Sequence, residues 1–119
     1  MLDFKKILDE FQILKNRYDE IKAAFDGDSV SKELEKYKSL TLDKDFWLDK
    51  NKAQKVLKRI SIIERQINDW SELDDSYDEI EIFTSMLNDD ADVDDEVSMS
   101  LLKFREMLNK MELLKLLNL

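Results

Sequence analysis

The chain has 119 residues and a mass of 14.2 kDa, room for one domain, and is read as a single helical domain over residues 1–119. With one Gly and no Pro it lacks the residues that punctuate tight turns, mixed β architectures and Pro-rich linkers, while 43% hydrophobic and 39% charged residues suit long amphipathic helices better than a disordered acidic tail. The absence of Cys and His excludes disulfides, thiol nucleophiles, the usual zinc ligands and the commonest general base, and the net charge of -9 is an average that hides an uneven distribution.

Apolar residues at Phe4, Ile7, Phe11, Leu14, Tyr18, Ile21 and Phe25 step by three or four, which predicts a first helix from about Phe4 to Asp26 with one apolar seam. Asp3 is placed to cap its start, and Gly27 stands where a left-handed residue would end it. Ser29 or Ser31 can cap a second, shorter helix carrying Val30, Leu34, Tyr37 and Thr41 and ending near Leu42. Residues Asp43 to Asp49 have no helical period but bring Phe46, Trp47 and Leu48 together between carboxylates. This predicts a loop folded back on the core, with Phe46 and Trp47 as its buried structural anchors rather than ligand-stacking rings.

Asp49 is a cap for a third helix whose seam reads Ala53, Val56, Ile60, Ile63, Ile67 and Trp70. Beyond Trp70 the heptad frame lands on Asp74, and a shift of three restores an apolar line through Leu73, Tyr77, Ile80 and Leu87. One long helix from about Lys50 to Leu87 is expected, with a bend or break at Ser71 to Ser76 left open. Asn88 to Glu96 holds six acids in nine residues and reads as the turn before the last helix. It fails as a calcium loop, because Asp95 takes the place of the required Gly and Leu101 that of the bidentate Glu. The fourth helix carries Val97, Leu101, Phe104, Leu108 and Met111 on its seam, then Leu113, Leu114, Leu116 and Leu117. The fold class is all-α, an antiparallel bundle of about four helices, two of them long, packed as coiled-coil-like hairpins.

Charge divides the chain. Residues 1–66 hold 15 Lys/Arg and 13 Asp/Glu; residues 67–119 hold 4 and 15. From Asp69 to Glu96 there are 13 carboxylates and no cation, so direct nucleic-acid binding by this half is not expected. The run is either a solvated helix face and turn or a docking surface for a basic protein, with Asp89, Asp90, Asp92, Asp94 and Asp95 as its candidate partner-binding residues. No stretch of apolar side chains exceeds three, so no membrane span is expected, and the N-terminus lacks the apolar segment of a secretory signal, which favours the cytoplasm. The sequence suggests no metal, no cofactor and no catalytic residue, and an enzyme is not expected.

The string Asp45-Phe46-Trp47-Leu48-Asp49-Lys50-Asn51-Lys52-Ala53-Gln54 resembles the Asp-x-Trp, then Ala-Gln, segment of the N-terminal domain, domain 1, of the bacterial peptide chain release factor 2 family. The likeness extends to the aromatic end of the first helix at Phe25, Lys32-Glu33-Leu34-Glu35, the long helix after Gln54, the acidic turn and the tail from Leu101 to Leu117, nearly the whole chain. Release factor 1 has a related domain, but the Trp-containing block is more similar to factor 2. The resemblance implies a part in translation termination at UAA and UGA codons on the ribosome. The family's Ser-Pro-Phe codon reader and Gly-Gly-Gln hydrolysis loop are absent, since the chain has no Pro and a single Gly. It is therefore expected to be domain 1 alone, an expressed piece or a truncated product, serving as a ribosome and factor interaction domain. The implied partners are the stalk base of the large subunit and the factor's remaining domains. The alternative is a free-standing helical adaptor or coiled-coil assembly protein, self-associating through the Leu-rich end of the fourth helix.

Overall fold

Every run of apolar residues spaced three and four apart becomes an α-helix, because that spacing lays the side chains along one face. The computed structural model describes residues 4–87 and 95–117. Its elements are α1 (Phe4–Ala23), α2 (Gly27–Leu40), a short 3₁₀ helix (Lys44–Leu48), α3 (Lys50–Met86) and α4 (Asp95–Leu117), with no strand among the described residues. The all-α, bundle-like class is thereby established.

Helix ends were the weaker part of the expectation. The first helix stops at Ala23, and Gly27, expected beyond its end, is the first residue of α2 and does not adopt a positive φ. The reason is capping. Asp26 has non-helical backbone angles and its Oδ1 accepts the N–H of Ser29 at 3.0 Å, so the carboxylate starts α2 and neither serine does. At the other end the Thr41 hydroxyl donates to the Lys38 carbonyl at 2.6 Å, closing α2 two residues early. Asp3 lies outside the described residues. Asp49 caps α3 as expected, its Oδ1 accepting the Lys52 N–H at 3.1 Å.

The chain divides into two compact units. One is built from α1, the second half of α3 and α4; the other is Phe25–Trp70, holding α2, the 3₁₀ helix and the first half of α3. In the first unit the seams Ile7, Phe11, Leu14, Tyr18 and Ile21 of α1 and Val97, Leu101, Phe104, Leu108 and Met111 of α4 are all buried. The rings of Phe11, Tyr18, Tyr77 and Phe104 form its centre. Tyr18 stacks on Tyr77 with centroids 4.4 Å apart, while Phe104 stands tilted at 5.8 Å from Tyr18 and 5.9 Å from Tyr77. In the second unit Ala53, Val56, Ile60, Ile63 and Trp70 of α3 are buried, and Phe25 stacks on Trp70 at 4.6 Å. No residue of α2 is fully buried.

Helix α3 is continuous through Ser71 to Ser76, so the chain has no break there. The division between units falls between Trp70 and Ser71, where the heptad frame shifts. Buried residues follow one another at Trp70, Leu73 and Ser76, two successive steps of three. Each step of three falls about 60° short of a full turn, so the buried stripe swings around the helix. Ser76, small enough to be enclosed by close helix packing, is fully buried, and Tyr77 beside it is half-buried.

Helix directions in the first unit follow from paired residues. Glu10 of α1 pairs with Arg105 of α4, and Arg17 of α1 with Glu112, both 95 residues apart, so α1 and α4 run parallel. Tyr18 meets Asp74 while Phe11 meets Tyr77, and Glu79 meets Ser100 while Tyr77 meets Phe104; α3 is antiparallel to both.

Candidate interaction site

Two polar clasps hold the seams together in the first unit. Arg17 donates from Nε to Glu112 at 3.2 Å, pairs a second time with that carboxylate through Nη2, and reaches Asn109 at 2.7 Å from the same nitrogen. A forked guanidinium on one carboxylate fixes orientation as well as distance. The hydrogen bond to Glu112 raises the Arg17 pKa above its ordinary value, against the opposing effect of burial. One heptad earlier the polarity is reversed, with the acid Glu10 on α1 and the base Arg105 on α4. A slip of one heptad between these parallel helices would bring Glu10 opposite Glu112 or Arg17 opposite Arg105, so like charges oppose it.

The second clasp joins α1 to α3. The Tyr18 hydroxyl donates to Asp74, and Lys22, one turn further along α1, donates to the Tyr18 oxygen at 2.9 Å and to Asp74 at 3.1 Å. Burial, reinforced by the bond to Asp74, pushes the Tyr18 phenol up to about 12. Tyr77 is also pushed up to about 12, first by burial and then by its bond to Glu81. The bond to Tyr18 raises the Lys22 pKa, with Asp74 adding to it and burial opposing. Sequence reasoning missed both clasps. The available signals were the i, i+4 spacing of Tyr18 and Lys22 and the unshifted heptad frame landing on Asp74.

These clasps revise the picture of the acidic run. Asp74 is tied to α1 and Glu79 accepts the Ser100 hydroxyl at 2.8 Å, so both are structural. Asp75, Asp78 and Glu81 on α3 are exposed, and Asp95 is exposed in the first turn of α4, where the helix dipole favours a carboxylate. Asp89, Asp90, Asp92 and Asp94 lie outside the described residues. Among those described, no group of acids is arranged to hold a metal ion. No described helix is long and apolar enough to cross a membrane.

The expected anchors behave differently from one another. Phe46 is half-buried, but Trp47 is 55% exposed and Leu48 79% exposed, so the expected burial of both rings is corrected. The short 3₁₀ helix turns successive side chains by about 120°, so adjacent residues meet different surroundings even where their rings touch. Phe46 faces inward and meets the edge of Trp47 at 4.9 Å, nearly perpendicular, while Trp47 points out. Nearby, Arg59 pairs with Glu33 at 2.9 Å and Lys38 with Glu64 at 3.8 Å, joining α2 to α3 across exposed surface.

With this geometry in hand, the comparisons with known proteins converge. The PCRF domain model matches residues 30–118. The chain is 25% identical to peptide chain release factor 2 of Staphylococcus haemolyticus over 118 residues, 98% of this chain and 31% of the relative. It is 26% identical to peptide chain release factor 2 of Petrotoga mobilis over 105 residues, 88% of this chain and 29% of the relative. For the Staphylococcus epidermidis protein of the same name the identity is 24%, again over 98% of this chain and 31% of the relative. The chain thus spans about 31% of the length of the first of these curated relatives. No solved structure matches it significantly.

Proposed function

The chain belongs to the PCRF domain family, and from that premise we propose that it is the N-terminal interaction domain of a class I release factor, acting in translation termination at UAA and UGA codons. The match over residues 30–118 carries this reading, and the similarity to release factor 2 over nearly the whole chain directs it to the factor 2 branch. Termination chemistry is assigned to other parts of such a factor, because this sequence holds neither a Ser-Pro-Phe nor a Gly-Gly-Gln string. The domain is a non-enzymatic, cytoplasmic module that binds without a cofactor. Its contribution is a stiff support, in which the Arg17–Glu112 and Tyr18–Asp74 clasps hold three helices in one register and leave the acids of α3 on the surface.

The partner proposed for that acidic surface is a basic protein at the stalk base of the large ribosomal subunit. The motivating observation is the run of 13 carboxylates without a cation from Asp69 to Glu96. Site-specific crosslinking from Asp78 in ribosome complexes should give products with stalk-base proteins, and replacing Asp89, Asp90, Asp92, Asp94 and Asp95 by Asn should weaken ribosome binding. Unchanged binding in that variant would reject the acidic surface as the contact. Crosslinks confined to other ribosomal regions would reject the stalk base.

A second reading, self-association as an assembly protein, is favoured by one observation. Leu113, Leu116 and Leu117 at the end of α4 are exposed. Light scattering across concentration separates the two: a mass that stays monomeric leaves the release factor reading, and a concentration-dependent dimer lost on replacing these leucines by Ser supports assembly.

A further inference from the structure

The turn between α2 and α3 exposes apolar side chains that the folded chain does not use. Leu42 is 86% exposed, Leu48 79% and Trp47 55%, and Leu40 is also exposed, all within nine residues. This exposure is held in place. Asp43 Oδ1 accepts the Asp45 N–H at 3.0 Å, the Asp43 carbonyl accepts the Phe46 N–H at 3.2 Å, and Asp49 caps α3. Two of the three carboxylates in this turn are thereby committed to backbone N–H groups. Lys44, Lys50, Lys52, Lys55 and Lys58 are exposed around the turn and the start of α3, and none forms an ion pair among the described residues.

We propose that this turn is a docking surface for an amphipathic helix of a partner protein, with an apolar stripe that covers Trp47, Leu48 and Leu42 and flanking carboxylates that meet the lysines. Over residues 40–58 five exposed lysines outnumber the three exposed aspartates Asp43, Asp45 and Asp49, a balance that suits an acidic partner, and exposed aromatic and aliphatic groups beside those cations suit the apolar stripe of an amphipathic helix. An RNA partner would satisfy the lysines and stack on Trp47 but would leave Leu42 and Leu48 uncovered, which is why a protein helix is favoured. A second copy offers its own acidic half, but a net charge of -9 on each chain opposes that association. The surface is made of residues 40–58, none of them in the acidic run from Asp69 to Glu96, and the inference stands whether or not the ribosomal reading does.

The test titrates the full chain with a labelled helical peptide of about three heptads, Leu on its seam and Glu on both flanks, and follows anisotropy together with tryptophan emission. The expected result is saturable binding with a blue shift of Trp47 emission, and at least tenfold weaker binding for the same peptide with Lys in place of Glu. Trp47→Ser with Leu48→Ser should weaken binding at least tenfold, and so should Lys50→Glu with Lys52→Glu. Both variants should keep the parent's circular dichroism and melting temperature. The lysine pair keeps the test sound if the apolar pair unfolds. Equal affinity for both peptides, or no loss in the lysine variant, overturns the proposal. Binding of poly(U) that is lost in Trp47→Ser while the Glu peptide fails to bind replaces it with RNA docking. Concentration-dependent growth in mass that is lost in Leu48→Ser replaces it with self-association.

Discussion

The two units of this chain start from the same sequence pattern and end with different interiors. In the unit of α1, α4 and the second half of α3, a seam on each of three helices closes on itself, and five residues of α1 and five of α4 are buried. In Phe25–Trp70, α2 and its C-cap carry an equally regular seam, Val30, Leu34, Tyr37 and Thr41, yet all four are only half-buried. The α3 seam of that unit is buried all the same, at Ala53, Val56, Ile60, Ile63 and Trp70, so the shortfall belongs to α2. The lesson is geometric. Three mutually packed helices can bury the seam of each, whereas in a pair one seam can close while the other stays half-open, and apolar periodicity reports only which face is covered.

The comparison breaks most readily at Phe104, which has no exposed surface and touches both Tyr18 and Tyr77. Phe104→Ala should destabilise the protein by about 3–5 kcal/mol in urea denaturation, the range for emptying a large aromatic from a core. A loss below about 1 kcal/mol would show that the three-helix unit is no better packed than the other.

A smaller effect is expected from the Arg17–Glu112 clasp. Both side chains are about one-third exposed, so solvent screens the pair, and a double-mutant cycle with Arg17→Ala and Glu112→Ala should return a coupling of about 1 kcal/mol or less, falling with added salt. The like-charge register lock sharpens this: Arg17→Glu should cost more than Arg17→Ala, because it places two carboxylates together where α1 and α4 meet.

Alkaline unfolding isolates the other clasp. The raised phenol pKa values mean that the folded state favours neutral Tyr18 and Tyr77, so their contribution is complete below pH 10 and is lost as pH rises through about 12. Melting temperature should fall across that window, and Tyr18→Phe should flatten the fall. A parent and variant with identical profiles from pH 10 to 12 would exclude Tyr18 as a source of it.

The smallest effect belongs to the exposed turn. Trp47→Ala should change stability by no more than about 0.5 kcal/mol, as for surface positions without a buried partner, while Trp70→Ala, on the buried face of α3 in the same unit, should cost several-fold more. Equal losses at the two tryptophans would return Trp47 to the core.

Much of this molecule was legible because its information is local. A step of three or four along the chain is a step along one helix face, so the seam residues from Ile7 to Ile21 and from Val97 to Met111 could be named from spacing alone. The frame shift after Trp70 is legible as a stammer within one helix of a single domain, and only the structure shows that two units part there. Asp49 was identified as a cap because capping needs only the residues of the next turn. Gly27 was misread because a lone glycine satisfies two local rules at once, and the stronger cap at Asp26 decided between them. Trp47 was misread because a run of three large apolar residues carries no period, so nothing in the string says which of them turns inward.

The amino-acid string by itself determined an all-α chain, its four principal helices, the faces they bury and the family to which they belong. Tertiary structure alone decided that α1 and α4 lie parallel, that Asp74 serves Tyr18 and Lys22, and that Trp47 meets solvent. The physical reason is distance along the chain: each of these pairings joins residues separated by more than 50 positions or depends on what covers a turn, and helical periodicity carries no information about either.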